Sequence, residues 1–268
     1  MTILVTGATG SVGRLVIDHL VDRGATGVRA LTTNPERAAL PPGVEVALGY
    51  LRRPETMPRA LEGVRKMYLA PAPETVRTVV AMARDAGVEH IVDLSGEPES
   101  WWGAVTLAVE ASGIEWTHLW AGEFLENDLV WSDQIRRTGV VLDPYPEVVS
   151  APIAMDDIAR VAATVLLGEG HAGRTYRLTG PTAISRGQRI QDLGAAIGRP
   201  VSFLRVTPAE AVTVLRPVMG DNAAFYIDEA IASMVGAPQA ATTTVADVTG
   251  QPATSHAAWA AAHADYFR

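Results

Sequence analysis

Cysteine is absent from this 268-residue chain, lysine occurs once, at Lys66, and no uninterrupted apolar stretch approaches the length of a membrane span. Without cysteine there are no disulfides, no thiolate nucleophile and no sulfur-based metal site. A bilayer-crossing helix needs about 18 consecutive apolar residues, so no membrane segment is expected. No charged and apolar leader precedes the first strand signal at Ile3, and a cytoplasmic location is expected. Basic charge is scarce too: 22 Lys and Arg against 30 Asp and Glu leave a net charge of −8. With no basic run to displace counterions, nucleic acid is excluded as a partner. His256 and His263 stand seven apart and nothing reads H-E-x-x-H, so no metal is expected. A G-x-S-x-G elbow for an esterase is missing as well. What remains is 48% hydrophobic and 19% charged, the composition of a folded globular chain with one large core, or one core and a smaller lobe.

The first thirteen residues organise the rest. Ile3-Leu4-Val5-Thr6 is short, apolar and β-branched, which suits a buried parallel strand. Gly7-Ala8-Thr9-Gly10-Ser11-Val12-Gly13 follows directly, and Arg14–Leu20 reads as a helix. Gly7 permits a tight turn, Gly10 lets backbone approach a pyrophosphate, and Gly13 allows close packing of the helix. The free N–H groups and the positive dipole end of that helix favour an anion. Gly7, Thr9, Gly10, Ser11, Val12 and Gly13 are therefore the expected phosphate-binding residues.

Strand and helix signals then alternate. Strands are expected at Val28–Leu31, Val44–Leu48, Lys66–Ala70, His90–Leu94 and Trp116–Trp120. Helices are expected at Asn34–Arg37, Pro54–Leu61, Glu74–Ala86, Trp102–Ala111 and Phe124–Arg137. The pattern predicts an α/β fold, a Rossmann-like doubly wound parallel sheet, with ligands outside the carboxyl ends of its strands. Thr32–Asn34, Tyr50, Ala70–Pro73, Ser95–Trp102 and Ala121–Asn127 fall at those ends. Later signals are a helix from Asp156 to Leu167, a strand at Thr175–Leu178 and a strand at Val201–Arg205. Helices opened by Ser185-Arg186-Gly187-Gln188 and Thr207-Pro208-Ala209-Glu210, and a terminal helix at Ser255–Phe267, complete the chain. The predicted division is a dinucleotide domain at 1–145, with late strands from 150–180, and a small, mostly helical lobe at 181–268.

The chain resembles the NmrA-like atypical short-chain dehydrogenases/reductases. The matching residues include Val5–Gly13, Asn34-Pro35-Glu36-Arg37-Ala38, Ser112–Thr117, Phe124–Asn127, Asp156–Ala162, His171–Gly180 and Val248–Pro252, which span nearly the whole length. The resemblance implies an NAD(P)H-binding oxidoreductase. It also implies a Tyr-x-x-x-Lys proton relay on the helix after the fifth strand, where this chain has Trp101, Trp102, Val105 and Thr106 instead. Lys66 is expected at the opposite edge of the sheet and so cannot replace the missing lysine. Ser95 alone survives at the family's catalytic serine position. Thr33 stands where NADP(H)-binding relatives place an arginine on the 2′-phosphate, and no Asp or Glu ends the second strand to take ribose hydroxyls. With no acid to repel the phosphate and Arg37 one turn on, NADP(H) is expected ahead of NAD(H). Thr32, Thr33, Asn34, Arg37, Tyr50, Leu51, Ala70 and Pro71 complete the expected cofactor contacts; Tyr50 stands where the family contacts adenine, its ring either stacking on the base or occupying its place.

Ser95, Trp102 and Glu123 are the candidate catalytic residues: a hydroxyl to orient an oxygen, a ring to hold a plane, and a carboxylate to handle a proton. His118 has Trp116, Leu119 and Trp120 around it and reads as a core histidine. The expected substrate is a hydrophobic aromatic, quinone-type or polyketide-like small molecule, taken by a monomer or homodimer. A quinone suits the missing relay, because the reduced anion is stabilised by its own ring. Two alternatives stand beside this reading: a redox-silent NmrA-type dinucleotide sensor, and a non-redox isomerase, cyclase or dehydratase on the same fold.

Overall fold

The computed structural model describes all 268 residues. They form two compact units. The first is Met1–Ala121, Met155–Leu178 and Thr244–Gln251; the second is Gly122–Ala154, Thr179–Thr243 and Pro252–Arg268. The boundary thus falls after Ala121 rather than near residue 145, and the second unit draws on both halves of the chain.

The first unit opens with β1 (Thr2–Val5), α1 (Ser11–Asp22), β2 (Val28–Thr32), β3 (Glu45–Leu48) and α2 (Pro58–Leu61). It continues with β4 (Val64–Leu69), α3 (Val76–Asp85), β5 (His90–Ser95), α4 (Gly103–Glu110) and β6 (Glu115–Ala121). The chain then makes α5 (Ser132–Thr138), β7 (Val140–Asp143) and β8 (Val149–Ser150) of the second unit. It returns for α6 (Met155–Leu167) and β9 (Arg174–Leu178) of the first. The second unit gains β10 (Ile184–Ser185), α7 (Arg186–Ile197), β11 (Ser202–Arg205), α8 (Pro208–Met219) and α9 (Asn222–Ala224). Last come α10 (Thr244–Thr249) in the first unit and α11 (His256–Ala262) in the second.

The first unit is built on one seven-stranded sheet in the order β3-β2-β1-β4-β5-β6-β9, every pairing parallel. Strand order reverses between β1 and β4, which makes the turn after β1 a topological switch point, where ligands of open α/β sheets bind. Parallel strands covered on both faces must be apolar throughout. Ile3, Leu4, Val5, Met67, Leu69, Ile91 and Val92 are accordingly all buried. α3 and α4 cover one face with Val76, Val79, Val80, Ala83, Val105 and Val109.

The middle of this sheet also corrects the expected position of Lys66. β4 is central, not at an edge. Lys66 lies at the amino end of that strand, remote from the carboxyl ends, and its Nζ donates to the carbonyls of Leu166 (2.8 Å) and Gly168 (3.2 Å). These are orphan acceptors at the C-terminus of α6, where the helix dipole favours a cation. The single lysine is a helix cap.

The second unit holds two cores. One gathers Trp131, Ile135, Leu193, Trp259 and Phe267; the other gathers Val148, Leu215, Tyr226 and Ile227. Two short pairs, β7 with β11 and β8 with β10, add strand structure; β11 falls at the strand expected over Val201–Arg205, while β7, β8 and β10 are too short to show a strand period. The helix expected over Phe124–Arg137 is a 3₁₀ stretch, Leu125–Trp131, followed by α5. Thr207 and Glu210 form a complete capping box at α8. At α7 only half a box forms: Ser185 accepts from the Gln188 N–H, while the Gln188 amide donates to Asp192.

Candidate active site

The turn after β1 is built by close contacts that admit only glycine. Gly7 has a φ of +61°, left-handed backbone that disfavours a side chain. A Cβ on Gly13 would lie 2.2 Å from the Gly7 carbonyl oxygen, so α1 starts directly against the turn. The Gly10 N–H closes the turn on Gly7 O at 2.8 Å, and the Arg14 N–H makes the next bond back, to Gly10 O at 3.0 Å. Helix geometry leaves the N–H groups of Ser11, Val12 and Gly13 without an intrahelical acceptor. Thr9, Gly10 and Ser11 are exposed. Thr6 fixes the turn to β4, donating to Tyr68 O at 3.0 Å and accepting from the Ala70 N–H at 2.8 Å. Ala70 in turn bounds Gly7, where an added Cβ would come within 2.9 Å of the Ala70 methyl. Such a cradle, emptied of side chains and lined with free donors, fits a dinucleotide pyrophosphate.

Beside it, Gly7, Thr9, Thr32, Thr33, Tyr50 and Leu51 line a cavity of about 150 Å³. Thr32 orders the loop by accepting from the Asn34 N–H at 3.2 Å. Leu51 is buried and Tyr50 is 42% exposed, its ring free to stack. Arg37, on the 3₁₀ turn Pro35–Arg37, is exposed, and Arg14 reaches past it to the Ala39 carbonyl. A larger cavity, about 840 Å³, adjoins Thr33 and Tyr50 and is lined further by Arg53 and Arg59. Pro71 is partly buried after the end of β4.

At the carboxyl end of β5, Ser95 is 6% exposed. Its hydroxyl lies 3.0 Å from that of Thr106 on α4, which also donates to Gly96 O at 2.7 Å. Trp120 Nε1 donates to the same Thr106 oxygen at 3.3 Å. Trp102 stands at the start of α4 and is 43% exposed, with Trp101 beside it more exposed still. No tyrosine or lysine occurs on α4.

Glu123 belongs to the second unit, and there it is spoken for. Arg189 Nη1 donates to one of its oxygens at 2.7 Å, Ser150 donates at 2.8 Å, and Arg186 stands 3.5 Å from the other oxygen. The two arginines sit on one face of α7, three residues apart. Arg186 also pairs with Asp143 at 2.7 Å, and Arg189 with Asp128. Both guanidiniums lie over the Trp131 ring. Burial pushes the Glu123 carboxyl up, but Arg189 and Arg186 more than reverse it and hold it below the usual carboxylate range. A carboxylate locked as an anion between two guanidiniums is a poor proton carrier. Its expected role at a substrate gives way to a structural one.

Asp93 interrupts the apolar strand Ile91-Val92-Asp93-Leu94, and a charged residue in a fully buried strand is itself a signal. In the structure it faces His118 across β5 and β6, its carboxylate 2.7 Å from Nδ1, both side chains fully buried.

Comparison with known proteins agrees with this geometry. A family model described as NAD(P)H-binding matches residues 7–97. The chain is 36% identical over 281 residues to a (4-alkanoyl-5-oxo-2,5-dihydrofuran-3-yl)methyl phosphate reductase from Streptomyces griseus, with 99% of each chain covered. It is 33% identical to an NAD(P)H azoreductase from Xenophilus azovorans, again with 99% of each covered. Among solved structures, an NADPH-dependent quinone oxidoreductase from Escherichia coli superposes with a TM-score of 0.86 at 27% identity, covering 98% of this chain and 99% of that one. The chain therefore belongs to the NAD(P)H-binding, NmrA-like family of atypical short-chain dehydrogenases/reductases.

Proposed function

We propose that this protein is an NAD(P)H-dependent reductase of flat, conjugated, electron-poor acceptors of the quinone type, with NADP(H) as the preferred cofactor. The observation that carries the reading is the furnishing of the β5 carboxyl end: the Ser95 hydroxyl beside that of Thr106, exposed indole rings next to them, and no tyrosine–lysine pair. The glycine turn, the Thr32–Thr33 loop and Tyr50 would hold the dinucleotide, which supplies a hydride when bound. Acceptors named for the relatives share one property. A quinone, an azo compound and an acyl-substituted oxo-dihydrofuran each place the incoming electron pair on a delocalised, electronegative centre. Their reduction depends on positioning more than on a strong acid at the moment of transfer. Ser95 would hydrogen-bond the acceptor oxygen, and Trp102 would hold the plane against its face.

Quinone-dependent NADPH oxidation tests this directly. Trp102→Ala is expected to leave NADPH affinity unchanged and to raise KM for a planar quinone about tenfold, the ~1.4 kcal/mol of one lost aromatic face. No oxidation by the wild-type protein with any quinone would favour the sensor. Equal loss of cofactor and quinone binding in the variant would make Trp102 a packing residue.

The cofactor preference has its own check. Neither the arginine after β2 nor a ribose carboxylate is present, so NADPH should lead NADH by less than ~100-fold, about 2.7 kcal/mol. Arg37→Ala should weaken NADPH more than NADH in calorimetric titration. Equal weakening would remove Arg37 from the phosphate site.

A further inference from the structure

The Asp93–His118 pair lies inside the first unit, directly behind the serine of the proposed site. β5 and β6 pair Asp93 with His118 and Ser95 with Trp120, so all four side chains share the face covered by α4. His118 stacks on Trp116 at 4.1 Å between ring centres, which seals it from water on that side. Two buried polar atoms of the pair, Asp93 Oδ1 and His118 Nε2, have no hydrogen-bond partner. The Nε2 atom points toward Glu110, whose carboxylate oxygen is 3.6 Å away and whose side chain is 44% exposed. A surface carboxylate, the imidazole, the buried carboxyl and Ser95, two residues beyond Asp93 on the same face of β5, therefore lie in one row. Orphaned buried atoms are costly and rare, and a tightly packed sheet retains them where they serve a function.

We propose that Asp93 and His118 are positioning residues that hold a proton behind Ser95 and deliver it, through the Ser95 hydroxyl, to the anion left when an acceptor has taken hydride. The proposal rests on the reductase reading. Burial raises the Asp93 carboxyl above its ordinary range, against the opposing pull of the His118 hydrogen bond, so this carboxyl is suited to keep a proton. The other groups facing the pair do not compete for it. α3 presents Val76, Val79, Val80 and Ala83 to this face, and β9 places Thr175 opposite His118. Tyr68 on β4, in register with Val92, faces the other side of the sheet, and burial drives its hydroxyl strongly upward, so it stays neutral. Glu110 on α4 is the remaining ionisable neighbour and opens to solvent.

The balance for a quinone is one hydride and one proton. A bound reduced nicotinamide would supply the hydride and leave the quinone carbonyl oxygen an oxyanion, and an O–H bond forms there as the Ser95 O–H bond breaks. Ser95 regains a proton from the Asp93–His118 pair, and water at Glu110 restores it. A triarylmethane cation needs hydride alone, since cation and hydride sum to a neutral product. That difference separates delivery of a proton from mere support of the fold.

The test uses Asp93→Asn and His118→Gln with NADPH and each acceptor, alongside melting temperatures and ¹⁵N-histidine NMR without cofactor. Quinone turnover should fall on the order of 100-fold, more steeply as pH rises, while turnover of the cation is retained. In the NMR spectra, Asp93→Asn should move the ring-nitrogen signals of one histidine, the one lost in His118→Gln. Equal loss on both acceptors, or a quinone pH profile unchanged in shape, would overturn the proposal. So would His118 ring signals indifferent to Asp93→Asn. Wild-type protein that oxidises NADPH with neither acceptor would instead defeat the reductase reading, and the NMR result would still show whether the pair shares a proton.

Discussion

Gly13→Ala should abolish dinucleotide binding and destabilise the protein, whereas Gly10→Val should abolish binding alone. The two glycines stand three residues apart in one turn but meet different surroundings. A methyl on Gly13 would sit 2.2 Å from the Gly7 oxygen and 3.0 Å from that of Thr6, so either the turn or the start of α1 must move. Overpacking of this kind costs about 2 kcal/mol, which for a chain of this size is roughly 4–8 °C in melting temperature. At Gly10 the nearest atom to an added Cβ is 3.1 Å away and the residue is exposed, so the turn yields slightly and the fold survives. The branched side chain would nevertheless project into the space a pyrophosphate needs, and NADPH affinity should drop by more than ~100-fold. Calorimetric titration and thermal melts on both variants check this. Gly10→Val that binds NADPH normally would reduce the loop to a structural turn.

The second large effect is expected far from any cofactor. Arg189→Met removes the donor shared by Glu123 and Asp128, leaving two carboxyls buried with too few partners. Breaking a buried ion pair from one side costs about 3–5 kcal/mol, or roughly 6–20 °C here. The sign of the pH dependence follows from the same pairing. Burial pushes both carboxyls up, and Arg189 leads the groups that bring them below the ordinary range. In the wild type their contribution is therefore present at neutral pH and is lost only as pH falls through those lowered values. Without the guanidinium, burial dominates and protonation relieves the strain. The gap in melting temperature between wild type and Arg189→Met should accordingly shrink from pH 7 toward pH 5. A constant gap would mean that the arginine acts by packing on Trp131 and not by charge.

The alternating strands and helices of the first 121 residues could be read from the chain because each signal there is local. Gly7, Gly10 and Gly13 have fixed spacing, the strands are apolar runs, and Asn34-Pro35 and Gly87 mark element ends. The second unit was less legible for a physical reason. Its strands β7, β8 and β10 are two to four residues long, too short to show a period. Its interior is held by Arg186, Arg189, Asp128, Asp143 and Glu123, residues whose sequence signature is that of a solvated surface. Charges inside a protein declare themselves only when their partners, here up to 66 residues away, are brought together. Asp93 was the exception, visible as one carboxylate in an apolar strand. Lys66 is the converse case: its strand is legible in the sequence, but the strand order that makes β4 central is not a local property.

The division of the chain has a consequence for its synthesis. The seventh strand of the main sheet, β9, ends at Leu178, and α10, which packs beside α6, is not complete until Thr249. A ribosome releasing residues in order therefore delivers the nucleotide cradle first, on a sheet whose last edge strand is still unmade. An edge left open presents unpaired backbone donors and acceptors, a template for pairing with another chain. The nascent protein meets this hazard at β6 for the time it takes to add more than fifty residues, Gly122–Gly173. Those intervening residues carry the exposed acids Glu147, Asp156 and Glu169, and their charge is well placed to keep neighbouring chains apart until the sheet is finished.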